Sequence, residues 1–200
     1  MKRLFFDVST NVMYVAYARK DMLKDFSIRI ATRDHAKYLI DRIEQLLKRN
    51  RLTIEQIDEI VIGIGPGSYT GIRIAVMVGK MLAFARNIPL RTVSSLFFMS
   101  SGYDQAIAPL IDARRGNVFS AVYHQGETLL EDGLRSLAEL SKTKAYQSAE
   151  NIFIDENNYE VNIKRILEKS TIVENIHTLV PNYLRKTEAE MNHDQQSQND

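Results

Sequence analysis

Apolar and polar positions alternate along this chain with two different periods. Leu4 to Val8 and Val12 to Tyr17 are apolar runs around the polar turn Ser9-Thr10-Asn11, the pattern of two antiparallel strands joined by a short loop; Phe26 to Ala31 adds a third strand. From Asp34 the spacing changes. Ala36, Leu39, Ile40, Ile43, Leu46 and Leu47 recur at helical intervals, with Lys37, Asp41, Arg42 and Lys48 on other faces, which predicts an amphipathic helix over 34–49. Thr53-Ile-Glu-Gln56 reads as a capping box and short helical turn that feeds the β-branched run Glu59 to Ile64, a buried strand. A glycine-rich turn follows, and residues 69–86 form a second long helix that ends near Asn87 and Pro89 before Leu90 to Val93 returns as a strand. Strand, helix and strand in that order favour a parallel pair in an α/β sheet.

Beyond a short helix at Leu96 to Ser101, the chain repeats its opening. Ile107 to Ile111, Asp112-Ala-Arg-Arg-Gly116 and Val118 to Tyr123 read as strand, aspartate, turn, strand, as do Leu4 to Asp7, its turn and Val12 to Tyr17. So short an echo arises either by chance or from an internal duplication, and a duplication implies two related lobes. After residue 125 the pattern weakens to short apolar pieces at Leu137 to Leu140, Ile152 to Ile154 and Ile163 to Leu167. The expected organisation is an N-terminal lobe over 1–103 with a mixed sheet and two long helices, and a smaller lobe over 104–190. Residues 191–200, with Met191 their one apolar member, are expected to be a disordered tail.

Composition narrows the function classes. With 200 residues, 44% apolar and 26% charged, the chain can bury a real core, and disorder cannot describe most of it. A net charge of +1 gives no global attraction to nucleic acid or membrane, so any polyanion must be held by a local patch. The absence of cysteine excludes disulfides, thiolate zinc and a cysteine nucleophile. Asp7 interrupts the first apolar run too early for a signal-peptide core, and no run is long enough to span a membrane, so a soluble cytoplasmic protein is expected.

The candidate chemistry centres on Gly63-Ile-Gly-Pro-Gly-Ser-Tyr-Thr-Gly-Ile-Arg-Ile-Ala75. Strand, glycine loop and helix N-terminus aim backbone N–H groups at one spot, which suits an anion. Yet no lysine stands where a Walker A loop needs it, and Gly65 and Gly67 are followed by Gly71 rather than by a glycine three positions on. Two readings remain: a phosphate site using Gly65, Gly67 and Ser68, or a tight turn in which Ser68 caps the helix. Gly71, Ala75, Gly79 and Ala83 fall four apart on the second helix, so another backbone can approach that face closely; it belongs either to the chain's own sheet or to another subunit. His35, His124, His177 and His193 form no metal-binding pair. Ser9-Thr10 and Ser94-Ser95 have no evident base nearby in sequence, which weakens the case for nucleophilic catalysis. Arg114 and Arg115 beside Asp112 are either a phosphate-binding pair or a solvated hairpin tip, and Pro181-Asn-Tyr-Leu-Arg185 is a second compact basic and aromatic element.

Taken together, Asp7-Val-Ser-Thr10, His35 opening a helix, Gly65-Pro-Gly-Ser-Tyr-Thr-Gly-Ile-Arg73, Val93-Ser-Ser-Leu96, Ile111-Asp-Ala-Arg-Arg-Gly116 and Pro181-Asn-Tyr-Leu-Arg185 resemble the bacterial TsaB (YeaZ) family. The resemblance spans nearly all of the chain before the tail and departs mostly after Gly126, where the chain is short. It implies an α/β fold of the actin-like, Hsp70-like (ASKHA) type, with two ribonuclease H-like lobes, the second reduced. It implies no catalytic residue, no metal and no cofactor of its own; ATP or ADP with Mg would belong to the complex alone. Family members scaffold TsaD, which with the ATPase TsaE transfers threonylcarbamoyl from threonylcarbamoyl-AMP to the adenosine beside the anticodon of tRNAs reading codons that begin with A. The two long helices of the first lobe contact TsaD, and the same surface supports a homodimer when TsaD is absent. Carried onto this chain, that surface comprises His35, Leu39, Arg42, Ile72, Arg73, Ala75, Val76, Gly79, Lys80 and Ala83. Asp7, Gly65, Gly67, Ser68, Asp112, Arg114, Arg115 and Arg185 are the positions for a nucleotide or tRNA contact. The rival readings are a small actin-like ATPase or kinase holding Mg-nucleotide at Asp7, Gly65, Gly67 and Asp112, and a peptidase, for which no metal pair or triad is evident.

Overall fold

The computed structural model describes residues 1–30 and 35–184. The tail expected over 191–200 and Arg185 lie outside the described residues, and of His35 only the backbone is described. Strands β1 (Lys2–Asp7), β2 (Val12–Arg19) and β3 (Met22–Ile30) form an antiparallel meander. Helix α1 (His35–Arg49) returns the chain, and β4 (Glu59–Gly63) enters parallel to β1 after a 3-10 turn at Ile54–Gln56 whose Gln56 side chain accepts from the Thr53 N–H. Helix α2 (Tyr69–Arg86) crosses to β5 (Leu90–Val93), parallel to β4. Ser68 caps its start through the Gly71 N–H, and Asn87 closes it in the left-handed conformation at φ 50°.

After α3 (Ser95–Ser100) the same order begins again. Strands β6 (Ile107–Asp112), β7 (Asn117–His124) and β8 (Glu127–Ser136) form a second meander; two short helices, α4 (Leu137–Leu140) and α5 (Lys144–Gln147), take the place of α1, and β9 (Glu150–Phe153) enters parallel to β6. The first sheet runs β10-β5-β4-β1-β2-β3 and the second β8-β7-β6-β9. Each lobe therefore places its strands third, second, first, fourth, the ribonuclease H-like order of an actin-like, Hsp70-like fold. Among the described residues the second sheet has four strands. Helix α6 (Ile163–Lys169) leads to β10 (Thr171–Ile172), which pairs antiparallel with β5 on the edge of the first sheet.

Alternation along the strands divides the core into layers. Leu4, Phe6, Ile60 and Ile62 face α1 and α2 and join Leu39, Ile43, Leu46, Ala75 and Ala83. Phe5, Tyr14, Ala16 and Val61 face the other way, meeting Leu96 and Phe97 of α3, Phe119 and Tyr123 of β7, and Ile163 and Ile166 of α6. The layers run from α1 and α2 through the first sheet, α3 with α6, and the second sheet, to α4, where Leu110, Val118 and Leu140 close a small outer core. Strand β8 is the longest element the apolar pattern missed. Its ten residues include no fully buried one, so no strong period of two was available to read.

Candidate partner face and the glycine loop

The glycine loop sits where β1, β4 and the C-terminal segment converge, and the chain itself fills it. The Gly65 N–H donates to Ser95 Oγ at 2.8 Å and the Ser68 N–H to Ser9 O at 2.6 Å, so these two donors of the expected cradle are engaged. Asn182 donates its N–H to Ile64 O at 2.8 Å, and a β-carbon at Gly65, where φ is +107°, would lie 2.9 Å from the Asn182 carbonyl oxygen. A β-carbon at Gly71 would collide with the Val8 carbonyl, and one at Gly67 with Ser9. The glycines serve close approach of the chain to itself. The residues present do not fit a bound phosphate here.

Asp7 begins this arrangement. It is fully buried, with Oδ1 accepting from the Ser9 N–H at 2.9 Å, Ser9 Oγ at 2.7 Å and Tyr159 OH at 3.2 Å, while Ser95 Oγ donates to Oδ2. Burial raises its carboxyl above the usual 3.8, outweighing the hydrogen bonds from Ser95, Ser9 and Tyr159, which act in the opposite sense. Asp112 occupies the matching place in the second lobe and accepts from the Arg114 N–H at 2.7 Å, two residues on as in Asp7 to Ser9, but it is exposed. Arg114 and Arg115 stand exposed at the hairpin tip in left-handed conformations, φ 66° and 54°. Among the described residues the two aspartates share no hydrogen-bond partner, and no group of three or more His, Cys, Asp or Glu is placed to hold a metal.

Helix α2 has two apolar faces. Gly71, Ile72, Ala75, Val76, Gly79 and Ala83 are buried within the chain; at Gly79 a β-carbon would come within 3.0 Å of Ile62 and 3.3 Å of Leu90. Of the two readings of the small-residue stripe, it is the chain's own sheet that approaches. Leu39 of α1 is likewise fully buried, and Arg42 is half-buried. The outward face carries different residues: Met77 is 62% exposed, Met81 50% and Phe84 66%, in line with exposed Arg73 one turn before. These recur at helical spacing, the signal in sequence that could have found them. Ile40 of α1 is also exposed.

The C-terminal segment borders this face. Lys80 Nζ donates to His177 O and Leu179 O, both at 3.1 Å; Arg73 Nε donates to Tyr183 OH at 2.7 Å and its guanidinium lies 4.1 Å from the Tyr69 ring centre. His177 meets Phe84 edge-on. Between segment and helix runs a groove of about 230 Å³ lined by Arg73, Val76, Met77, Lys80 and Pro181. A second cleft of about 320 Å³, between the lobes, presents polar groups already paired with each other: Tyr123 OH donates to Asp132 at 2.6 Å and Lys169 to Thr128 at 2.6 Å.

Comparison with known proteins gives this geometry a family. A family model described as "TsaD: tRNA N6-adenosine threonylcarbamoyltransferase" matches residues 28–164. The tRNA threonylcarbamoyladenosine biosynthesis protein TsaB of Bacillus subtilis is 30% identical, with 95% of this chain and 96% of that protein covered. TsaB of Escherichia coli is 28% identical over 70% of this chain and 62% of its own length. The solved structure of YeaZ from Pseudomonas aeruginosa superposes with a TM-score of 0.71 at 21% identity, covering 92% of this chain and 99% of that one, a likeness of fold.

Proposed function

The chain belongs to the TsaB (YeaZ) family of tRNA threonylcarbamoyladenosine biosynthesis proteins, non-catalytic paralogues of TsaD, and from that membership we propose how it serves the modification: it docks TsaD through the outward face of α2. The observation that carries this reading is the exposure of Met77, Met81 and Phe84 in one stripe on a helix whose other face is already buried. A helix apolar on both faces has one face more than its own core needs. Methionines adapt to a partner's contour, and an aromatic such as Phe84 anchors it. Arg73, Lys80 and Arg42 supply the rim, and Ile40 extends the patch onto α1.

In this reading TsaE engages through the assembled pair, and a second copy of the chain covers the same α2 face when TsaD is absent. ATP or ADP with Mg belongs to the assembly, which acts in the cytoplasm. An ATPase held by Asp7 and the glycine loop is the weaker reading, because Ser9, Ser95, Tyr159 and Asn182 occupy the space and the donors it would need. In the TsaD-docking reading Arg114 and Arg115, exposed at the hairpin tip, meet tRNA phosphate in the complex. Replacing both by Ala should flatten the salt dependence of tRNA binding by about one to two units of slope, and an unchanged slope argues against that contact. The docking face is tested by co-purification: Met77→Asp with Phe84→Asp should lose TsaD while the isolated chain, compared at a dilution where both proteins are monomeric, keeps its melting temperature. An intact complex would refute the mapping.

A further inference from the structure

Helix α2 and the C-terminal segment 171–184 border the groove lined by Arg73, Val76, Met77, Lys80 and Pro181. Val76, Met77 and Pro181 make its walls apolar. At about 230 Å³ it is smaller than the ~300 Å³ at which small-molecule sites begin, so it fits one protein side chain rather than a cofactor. Lys80 closes one side. It is half-buried, and its ammonium donates to the carbonyls of His177 and Leu179. An ammonium has three donors, so one N–H is left over, and both of these acceptors are neutral. No carboxylate among the described residues pairs with it: α2 contains no Asp or Glu, and Glu174, the only acid of segment 171–184, forms no ion pair with Lys80. Arg3, Arg91 and Arg165 also tie distant parts of the chain together, and each of them meets a carboxylate, Glu59 for the first two and Asp104 for the third. A cation taken half out of water without a counter-charge is unfavourable, and a partner's carboxylate would offset that.

We propose that this groove receives an acidic side chain of TsaD, whose methylenes lie against Val76, Met77 and Pro181 and whose carboxylate accepts the remaining Lys80 N–H. The inference rests on TsaD docking to the α2 face and adds to it the chemistry of one contact. The two carbonyl bonds fix the ammonium before the partner arrives, so little side-chain freedom is lost on binding. A second copy of this chain cannot supply the carboxylate from its own α2, and the acids of α1, Asp41 and Glu44, are already engaged by Gln45 and Lys48. The contact therefore separates TsaD from a second copy packed α2 against α2.

Immobilised TsaD and the full chain in nucleotide-free buffer test this through a charge series at one position, read as the dissociation rate. A charge that only steers encounter alters association, whereas a charge buried in the contact alters dissociation. Lys80→Met should dissociate about tenfold faster than the natural chain, and Lys80→Glu at least about tenfold faster again, because it sets like charges face to face. Both variants lose the two carbonyl bonds, so amide exchange over residues 176–183 of the unbound chain should rise equally in the two. Equal dissociation of Lys80→Met and Lys80→Glu, a Lys80→Met complex as long-lived as the natural one, or faster dissociation of Lys80→Glu matched by faster exchange of that segment than in Lys80→Met would each overturn the proposal. Met77→Asp with Phe84→Asp keeps the two readings apart. Normal TsaD binding by that variant removes the docking face itself, whereas its loss of TsaD beside a flat charge series removes only the Lys80 contact.

Discussion

Asp7 and Asp112 open the same turn in related lobes yet lie in opposite surroundings, one sealed under Tyr159 and Ser95, the other in water. The sequence carries the likeness, because strand, aspartate and turn recur within a few residues. It does not carry the difference, to which Ser95 and Tyr159, both far along the chain, contribute. The buried member has a measurable consequence. Because burial raises the folded carboxyl above 3.8, the native state holds its proton to higher pH than the unfolded chain does. The contribution of Asp7 to stability is thus fullest below 3.8 and declines as pH rises through the folded value. Compared with Asp7→Asn, the natural chain should lose unfolding free energy over that rise, as measured by urea titration at a series of pH values. Parallel profiles for the two proteins would contradict the assignment.

Elements with one polar face were legible. Helix α1 declares itself through Leu39, Ile43, Leu46 and Leu47 against Lys37, Asp41 and Lys48, and it forms over His35–Arg49. Helix α2 was located equally well, but its orientation was not. Small residues at 71, 75, 79 and 83 say that a backbone comes close and not whose backbone it is, and large apolar residues on the opposite side blur the amphipathic signal. The two faces separate by substitution. Gly79→Leu must displace Ile62 and Leu90 and should lower unfolding free energy by roughly 1–3 kcal/mol or more. In the monomer Met77→Asp faces water and should change it by about 0.5 kcal/mol at most. The reverse order in a denaturation series would mean that α2 is turned around. The turn after β4 shows a similar ambiguity: a glycine loop before a helix has the outline of a phosphate site, and only the return of Asn182 and the position of Ser9 reveal that its donors are spent inside the chain.

At the scale of the molecule, both lobes share one strand order, the second has no fifth strand among the described residues, and the chain returns to the first sheet as β10. The layers are joined through one shared core, where Phe5 and Tyr14 of the first lobe meet Phe119 and Tyr123 of the second across α3. The strand, aspartate, turn, strand likeness of the two lobes follows from short local patterns, whereas the return of residues 171–184 to β5, α2 and the glycine loop depends on contacts between distant segments that no local period encodes. On the proposed reading, such a molecule presents the outward face of α2 to TsaD. The decisive measurement is N6-threonylcarbamoyladenosine formed on tRNA from threonylcarbamoyl-AMP by TsaD and TsaE with this chain, natural or carrying Met77→Asp and Phe84→Asp. Modified tRNA is expected with the natural chain, none with the folded double variant, and none when TsaD is left out. Full modification with the double variant, or by this chain without TsaD, would contradict it.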